Sequence, residues 1–376
     1  VSAVDGKRVA ITGIGIVTPL GTDPGEVLRR IQVGHSAASS AGFDASAFAC
    51  PVCARVNDFQ PHRYVSEAKL VRLMNRDAQL AVAAARLALQ DAGVRSGTTY
   101  PSEAIGLFGA TGLAGLPVRE VGPLIRVSAD SSGNFDLTRF GQAGLKAVSP
   151  ILSFKILSNM PVSFVSINED IQGPNAVYTP WEGDGAQAVE AGIRALQAGD
   201  VSCALVGGCD VKTHELAFAT LQQQGLFSSW QRSGNGIVPG EGAAFLVLET
   251  EEGARSRGVR IYARFGAFQL RPHRNGEEIA HTRAGVLKGL NLRETGTLVS
   301  SANGDEERDG LEISILQTAR ISVATRICPK KHAGDLFAAA APLQIALGAI
   351  LAETSGVVAN CFGHGSTQAA FALERV

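Results

Sequence analysis

A chain of 376 residues can hold two ordinary domains or one large two-lobed unit, and 45% apolar content with 43 glycines suits a compact α/β protein with many tight turns. A net charge of −1, with no basic run interleaved with aromatics, speaks against nucleic acid as a partner. No uncharged apolar run approaches the roughly 18 residues that a membrane span needs.

The first residues, VSAVDGKRVAITGIGIVT, read as a strand (8–12) entering a core. They lack the zones of a signal peptide, so a cytoplasmic location is expected. Gly13-Ile14-Gly15 has the look of a dinucleotide loop, but Thr18 stands where a third Gly belongs and Pro19 interrupts the helix start. A plain turn after the strand is expected, without a nicotinamide cofactor. Cys50-Pro51-Val52-Cys53 has a metal-like spacing, yet no second pair or paired His follows, and the six Cys are thinly spread. Reduced thiols are expected, with no metal and no disulfide scaffold.

Further along, the spacing predicts a helix over 66–92, strands over 105–109 and 176–178, a helix over 185–198, and strands over 204–207, 243–249 and 260–268. A helix over 282–290, a strand over 297–301, a helix over 335–353 and strands over 357–361 and 368–374 complete the series. Leu336, Leu343, Leu347 and Ile350 recur at helical spacing. Strands alternating with helices imply a largely parallel sheet covered on both sides. An echo lies within the series: Glu241–Glu249 (EGAAFLVLE) and Ser366–Glu374 (STQAAFALE) share the pattern A-A-F-x-L-E, each after a Gly-rich loop. A duplicated α/β unit is expected, dividing the chain into halves at 1–250 and 251–376.

Three stretches invite chemistry. Gly363-His364-Gly365-Ser366 suggests a Ser/His pair, but residues two apart seldom face each other, and turn glycines are the better account. Asp305-Glu306-Glu307 and Asp309 read as a solvated loop or the acidic first turn of a helix in preference to a metal site. Thr179-Pro180-Trp181-Glu182-Gly183-Asp184-Gly185 joins a strand to an amphipathic helix, a favoured place for a nucleophile, yet it holds neither Cys nor Ser.

Taken in order, several segments resemble the β-ketoacyl synthases of the thiolase superfamily. They are VAITGIGIVTPL (9–20), RLMNRDAQLAVAAARLALQDAG (72–93), Gly173-Pro174, LVGGCD (205–210), GIVPGEGAAFLVLE (236–249), 301–304, PKKHAGDLFAAAAP (329–342) and NCFGHGST (360–367). The resemblance implies an α/β, thiolase-like duplicated five-layer αβαβα fold. It also implies a decarboxylative condensation, for which a thiolate attacks an acyl thioester, two His assist decarboxylation, and backbone N–H groups hold the oxyanion. Carried over residue by residue, the Cys position is occupied by Glu182 and one His position falls near His273. The other His is replaced by Asn303 before Gly304, the Lys maps to Lys330, and the His beside its glycine has become Asp335. The family's Gly-Phe-Gly-Gly-Thr stretch reads Gly363-His364-Gly365-Ser366-Thr367.

A carboxylate cannot replace the thiolate, because an acyl-Glu intermediate is an anhydride lying far uphill of a thioester. No catalytic residue is therefore expected. This pattern of losses resembles the chain length factors, the ketosynthase-like second subunits of type II polyketide synthases, in which Gln usually stands at the Cys position. Val238-Pro239-Gly240-Glu241-Gly242 and Pro329-Lys330 with Gly334-Asp335-Leu336-Phe337 fit that subgroup, whereas Glu182 departs from it, and the loops near 292 and 354 are shorter than usual. The resemblance implies a heterodimer with a catalytic ketosynthase, fed by an acyl carrier protein carrying malonyl or polyketide chains, and no cofactor. It further puts Leu116, Arg119 and Pro123 near the wall of a polyketide tunnel and 149–161 at the subunit interface or in an interior helix. Glu182 then gains either from the oriented N–H groups of its helix or, protonated, mimics Gln. A divergent decarboxylase or ketosynthase acting through Glu182 and His273, and a degenerate binding module outside polyketide synthesis, are the competing readings.

Overall fold

The structure is a computed structural model that describes residues 7–113 and 116–376, apart from the side chains of Ser153 and Glu182. Its strands are β1 (Val9–Val17), β2 (Ala38–Ser40), β3 (Val52–Ala54), β4 (Ile105–Thr111), β5 (Asn175–Tyr178), β6 (Cys203–Val211), β7 (Glu241–Thr250), β8 (Ala263–Pro272), β9 (Glu294–Val299), β10 (Ser322–Ile327), β11 (Val357–Cys361) and β12 (Thr367–Glu374). The helices used below are α1 (Pro24–Gln32), α2 (Arg76–Asp91), α3 (Val118–Ser128), α4 (Met160–Glu169), α5 (Glu182–Ala198), α6 (Glu215–Gln223), α7 (Ile279–Gly289), α8 (Glu306–Ala319), α9 (Pro329–Ala333) and α10 (Ala340–Leu351).

All strands but the β2–β3 hairpin join one ten-stranded sheet in the order β10-β9-β11-β12-β8-β1-β7-β6-β4-β5. The order reads the same from its centre outward. Strands β1, β7, β6, β4 and β5 correspond one by one to β8, β12, β11, β9 and β10. In each series the first two pairings are antiparallel and the last two parallel. The two series meet only where Ala10 and Ile11 of β1 pair with Arg264 and Ala263 of β8. The A-A-F-x-L-E echo therefore marks equivalent strands, β7 and β12. Helices α5 and α10 pack between the two series, α2 and α4 cover one outer face, and α7 and α8 cover the other. This is the duplicated five-layer α/β arrangement expected from the sequence.

Local physics explains where the elements depart from expectation. Strand β1 runs on to Val17, so Gly13 and Gly15 lie inside the strand and form no turn. A Cβ at either position would enter the backbone of α2 at Ala88 and Ala84. These glycines give clearance for helix-on-sheet packing. The expected 66–92 helix is broken: Asn75, extended at φ −78° and ψ 179°, caps α2, with its side chain accepting from the Ala78 N–H at 3.0 Å. The expected 335–353 helix begins at Ala340, because the Asp335 backbone is held extended by bonds to Val238 O (2.8 Å) and from Gly240 N (2.9 Å). The acidic run 305–309 is the first turn of α8, with Asp305 as its cap. Among the described residues no helix is long and apolar enough to cross a membrane.

Candidate functional site

The turn between β5 and α5 keeps the strand–turn–helix form. Trp181 caps α5, its N–H donating to Asp184 Oδ2 at 2.5 Å, and Glu182 is the first helical residue. The Glu182 side chain lies outside the described part of the structure. The glycines of this turn also serve clearance. A Cβ on Gly183 would overlap the Thr367 carbonyl, and one on Gly185 would overlap the Ala338 carbonyl and Pro342. The start of α5 is thus pressed between the loop that leads into β12 and the start of α10.

Three further loops converge here. After β9, Asn303 is buried, its N–H bound to Asp309 Oδ1 at 2.9 Å. Its Nδ2 lies 3.3 Å from Asp335 Oδ2 and 3.5 Å from His364 Nε2. Helix α9 presents Lys330, whose Nζ stands 3.3 Å from Asp335 Oδ2 and donates to Phe362 O at 3.4 Å. Asp335 Oδ1 accepts from the Phe337 N–H at 3.1 Å. Behind them, at the end of β6, buried Asp210 pairs with Lys212 and accepts from the Ala338 N–H at 3.4 Å. Burial raises the Asp210 carboxyl and the Lys212 charge opposes that rise.

Asn303, Lys330 and Asp335 are therefore brought together as the sequence implies. His273 is not among their partners. It follows β8, its N–H donating to Ser366 O at 2.6 Å and its ring Nδ1 lying 3.1 Å from Thr282 Oγ1. Leu116 is 4% exposed, Arg119 is exposed, and Pro123 lies within α3; all three belong to the 113–167 region. Residues 149–161 carry exposed Ile151, Phe154, Ile156 and Leu157, so that segment is surface and not an interior helix.

Sequence reasoning missed two members of the cluster. His364, read from the sequence as part of a turn, is half-buried, with Arg308 Nη1 against both of its ring nitrogens and its ring stacked on Phe337 at 6.3 Å between centroids. Burial, with the Arg308 charge adding to it, pushes the imidazole well below its ordinary value, so it is neutral. Arg308 was hidden inside an acidic run, and only the fold of α8 aims it at this loop.

No thiol serves this site. Cys50, Cys53, Cys203, Cys209 and Cys361 are buried and Cys328 is half-buried. Burial pushes Cys50 and Cys361 up to about 12 and raises the other four. A nucleophile needs the opposite shift. Among the described residues no cluster of His, Cys, Asp and Glu is arranged to hold a metal. The chemistry on offer is hydrogen bonding and charge pairing between groups already committed to one another.

Comparison with known proteins bears on the family and the fold. The family model "Beta-ketoacyl synthase, N-terminal domain" matches residues 6–254. The 3-oxoacyl-[acyl-carrier-protein] synthase 2 of Coxiella burnetii is 28% identical over 276 residues, which are 70% of this chain and 63% of that protein. The synthase of the same name from Vibrio harveyi is 26% identical over 317 residues, 79% of this chain and 72% of that one. The chain thus spans less than two thirds of the first relative's length. Among solved structures, the ishigamide ketosynthase/chain length factor superposes with a TM-score of 0.79 at 21% identity, covering 99% of this chain and 100% of that one. A type II polyketide synthase acyl-carrier protein in complex with its ketosynthase bound to the hexaketide gives 0.77 at 16% identity, over 99% and 100%. A β-ketoacyl synthase from Burkholderia phymatum gives 0.78 at 20%, over 98% and 100%. The family match over residues 6–254, well over half of the chain, places it in the β-ketoacyl synthase family of the thiolase superfamily.

Proposed function

We propose that this chain is a non-condensing subunit, a chain length factor of a type II polyketide synthase, that pairs with a catalytic ketosynthase. The observation that carries the reading is the cluster itself. Where the family chemistry needs a thiolate and two imidazoles, this chain has Glu182 in place of the thiol and Asn303 in place of one imidazole, and Asp335, which holds a further His position, bonds to both Asn303 and Lys330. His273, the only imidazole assigned to those positions, bonds to Thr282 instead.

A second observation supports pairing. Between 113 and 167 lie exposed Leu113, Ile125, Phe135, Leu137, Phe154 and Ile156, among others, far more apolar exposure than elsewhere on the described surface. Beside it runs β5, the terminal strand of the sheet. An exposed apolar face next to an open strand edge suits a partner of the same fold, whose own edge strand would complete the sheet. The structural neighbours include a ketosynthase/chain length factor and an acyl-carrier protein in complex with its ketosynthase. We assign the corresponding partners here: a ketosynthase bearing the growing chain and a carrier protein bringing malonyl units. Leu116, Arg119 and Pro123 on the pairing side then line the far end of the partner's tunnel and limit the number of extensions.

Co-expression with a ketosynthase encoded beside it tests the reading. A stable 1:1 complex that makes polyketide, with neither subunit condensing alone, is the expected result. Decarboxylation of malonyl carrier protein by this subunit alone, lost in Glu182→Ala, would favour the divergent enzyme instead.

A further inference from the structure

The face between 113 and 167 is apolar, but it is not neutral. It holds the cations Arg119, Arg126, Arg139, Lys146 and Lys155 against the carboxylates Glu120, Asp130 and Asp136. The chain as a whole carries −1, so positive charge is concentrated here and the rest of the chain is acidic. The carboxylates are committed within the segment. Glu120 pairs with Lys155 at 2.8 Å. Asp130 Oδ1 accepts from the Asn134 and Ser132 N–H groups at 2.9 and 2.8 Å, and these bonds, with the Arg139 charge adding to them, hold its carboxyl below the ordinary value. Asp136 Oδ1 accepts from the Arg139 N–H at 2.8 Å. Arg119, Arg126 and Lys146, by contrast, are exposed and make no ion pair among the described residues.

These free cations stand among the apolar side chains. Arg119 and Arg126 lie two helical turns apart on one side of α3, each one position along from exposed Val118 and Ile125. A Cβ on Gly122 would touch Val118 Cγ1 at 3.5 Å and Arg126 Nη1 at 3.6 Å, so the guanidinium lies beside the valine. The turn that carries Lys146 packs against the same helix, next to exposed Leu145. A partner that covers the apolar groups must therefore cover the cations too.

We propose that Arg119, Arg126 and Lys146 select the partner: they admit a subunit of the same fold whose facing surface is acidic, and they turn away a second copy of this chain. The inference rests on the pairing reading and adds the chemistry by which the partner is recognised. Two copies related by a twofold axis bring the same patch onto itself, so each free cation would meet cations and no free carboxylate. Like charges brought together oppose association and opposite charges steer it, and salt screens both. The free cations are thus a repulsive element set against the wrong pair.

The test combines Arg126→Glu with Lys146→Glu, with an unchanged urea midpoint to show that the fold is intact. In sedimentation velocity at about 50 mM salt, a 1:1 mixture of wild type and double variant should form mixed pairs at least about tenfold more tightly than either protein pairs with itself. Raising the salt to about 0.5 M should weaken the mixed pair and strengthen wild-type self-association, whereas a purely apolar contact would move both the same way. The double variant should also bind a ketosynthase at least about tenfold more weakly than the wild type does. Wild-type self-association as tight as the mixed pair at low salt, or the absence of a mixed pair, would overturn the proposal. Ketosynthase binding unchanged by the two substitutions would also overturn it and would leave pairing intact. A wild-type chain that binds no ketosynthase, while the mixed pair forms, would sink the pairing reading and keep the charge selection.

Discussion

Lys330 Nζ and Asp335 Oδ2 stand 3.3 Å apart with 3% and 0% of their side chains exposed. Two charges taken this far out of water hold each other in place, and removing one leaves the other without that compensation. Asp335→Ala should therefore cost about 3 kcal/mol of folding stability in urea titrations, whereas Asp335→Asn, which keeps one acceptor oxygen for the Phe337 N–H, should cost less. A loss below about 1 kcal/mol for the alanine variant would show that the pair acts like a surface salt bridge.

Stability should fall on mild acidification through His214. Burial first, and then the Lys212 charge, hold its imidazole down to about 4 from an ordinary 6.5. Between those values the unfolded chain binds a proton that the folded chain refuses. The contribution is therefore complete above about 6.5 and is lost as pH drops toward 4, by up to about 3 kcal/mol. His364, also depressed, adds a slope of the same sign. His214→Asn retains a side-chain acceptor for the Ala217 N–H, which His214 Nδ1 now binds at 3.3 Å, and should flatten the pH dependence of the urea midpoint. An unchanged slope would remove His214 from the account.

The apolar face should be dispensable for the free subunit and necessary for the complex. Leu137 is 73% exposed, so Leu137→Asp should change the free subunit's stability by no more than about 0.5 kcal/mol. The same variant, and Ile156→Asp in the same stretch of chain, should prevent co-elution with a ketosynthase on size exclusion. Intact complexes from both variants would move the interface elsewhere.

Product length should respond to Leu116. It is buried in this chain next to a face that the partner would cover, so Leu116→Ala enlarges the space there while leaving the exposed Arg119 in place. Longer products from the reconstituted pair are expected, measured by mass spectrometry. Unchanged length with Leu116→Ala and with Arg119→Ala would remove both from the tunnel wall.

The duplicated fold was legible because its strongest signals are local. Apolar strands alternating with helices, and the repeated A-A-F-x-L-E strand, require no knowledge of distant contacts. What escaped notice lacked such a signal. Strand β10, SVATRI, is an edge strand with mostly exposed or half-buried residues, so it carries no buried face to betray it. Gly13 and Gly15 look like a turn until α2 is laid against them. At the site, Asn303, Lys330 and Asp335 were found through family motifs, and the fold joined them. His273 was assigned by a loose correspondence: its N–H reaches Ser366 in the loop that carries His364, while its ring lies against Thr282. His364 and Arg308 come from separate elements, and sequence spacing says nothing about an approach made across the tertiary structure.

The palindromic strand order also bears on how the chain is made. Strand β1 is fully buried, and both of its partners come late: β7 supplies residues 243–250 and β8 supplies 263 and 264. A ribosome delivers β1 first, yet nothing to pair with it exists until most of the polypeptide has emerged. Contacts so distant in sequence form slowly, and an unpaired apolar strand invites association with other nascent chains. The seam that unites the two halves can thus close only once residue 264 has emerged, and β12, the other partner of β8, comes later still, so chaperone supply and translation speed should govern the yield of this protein in a foreign host.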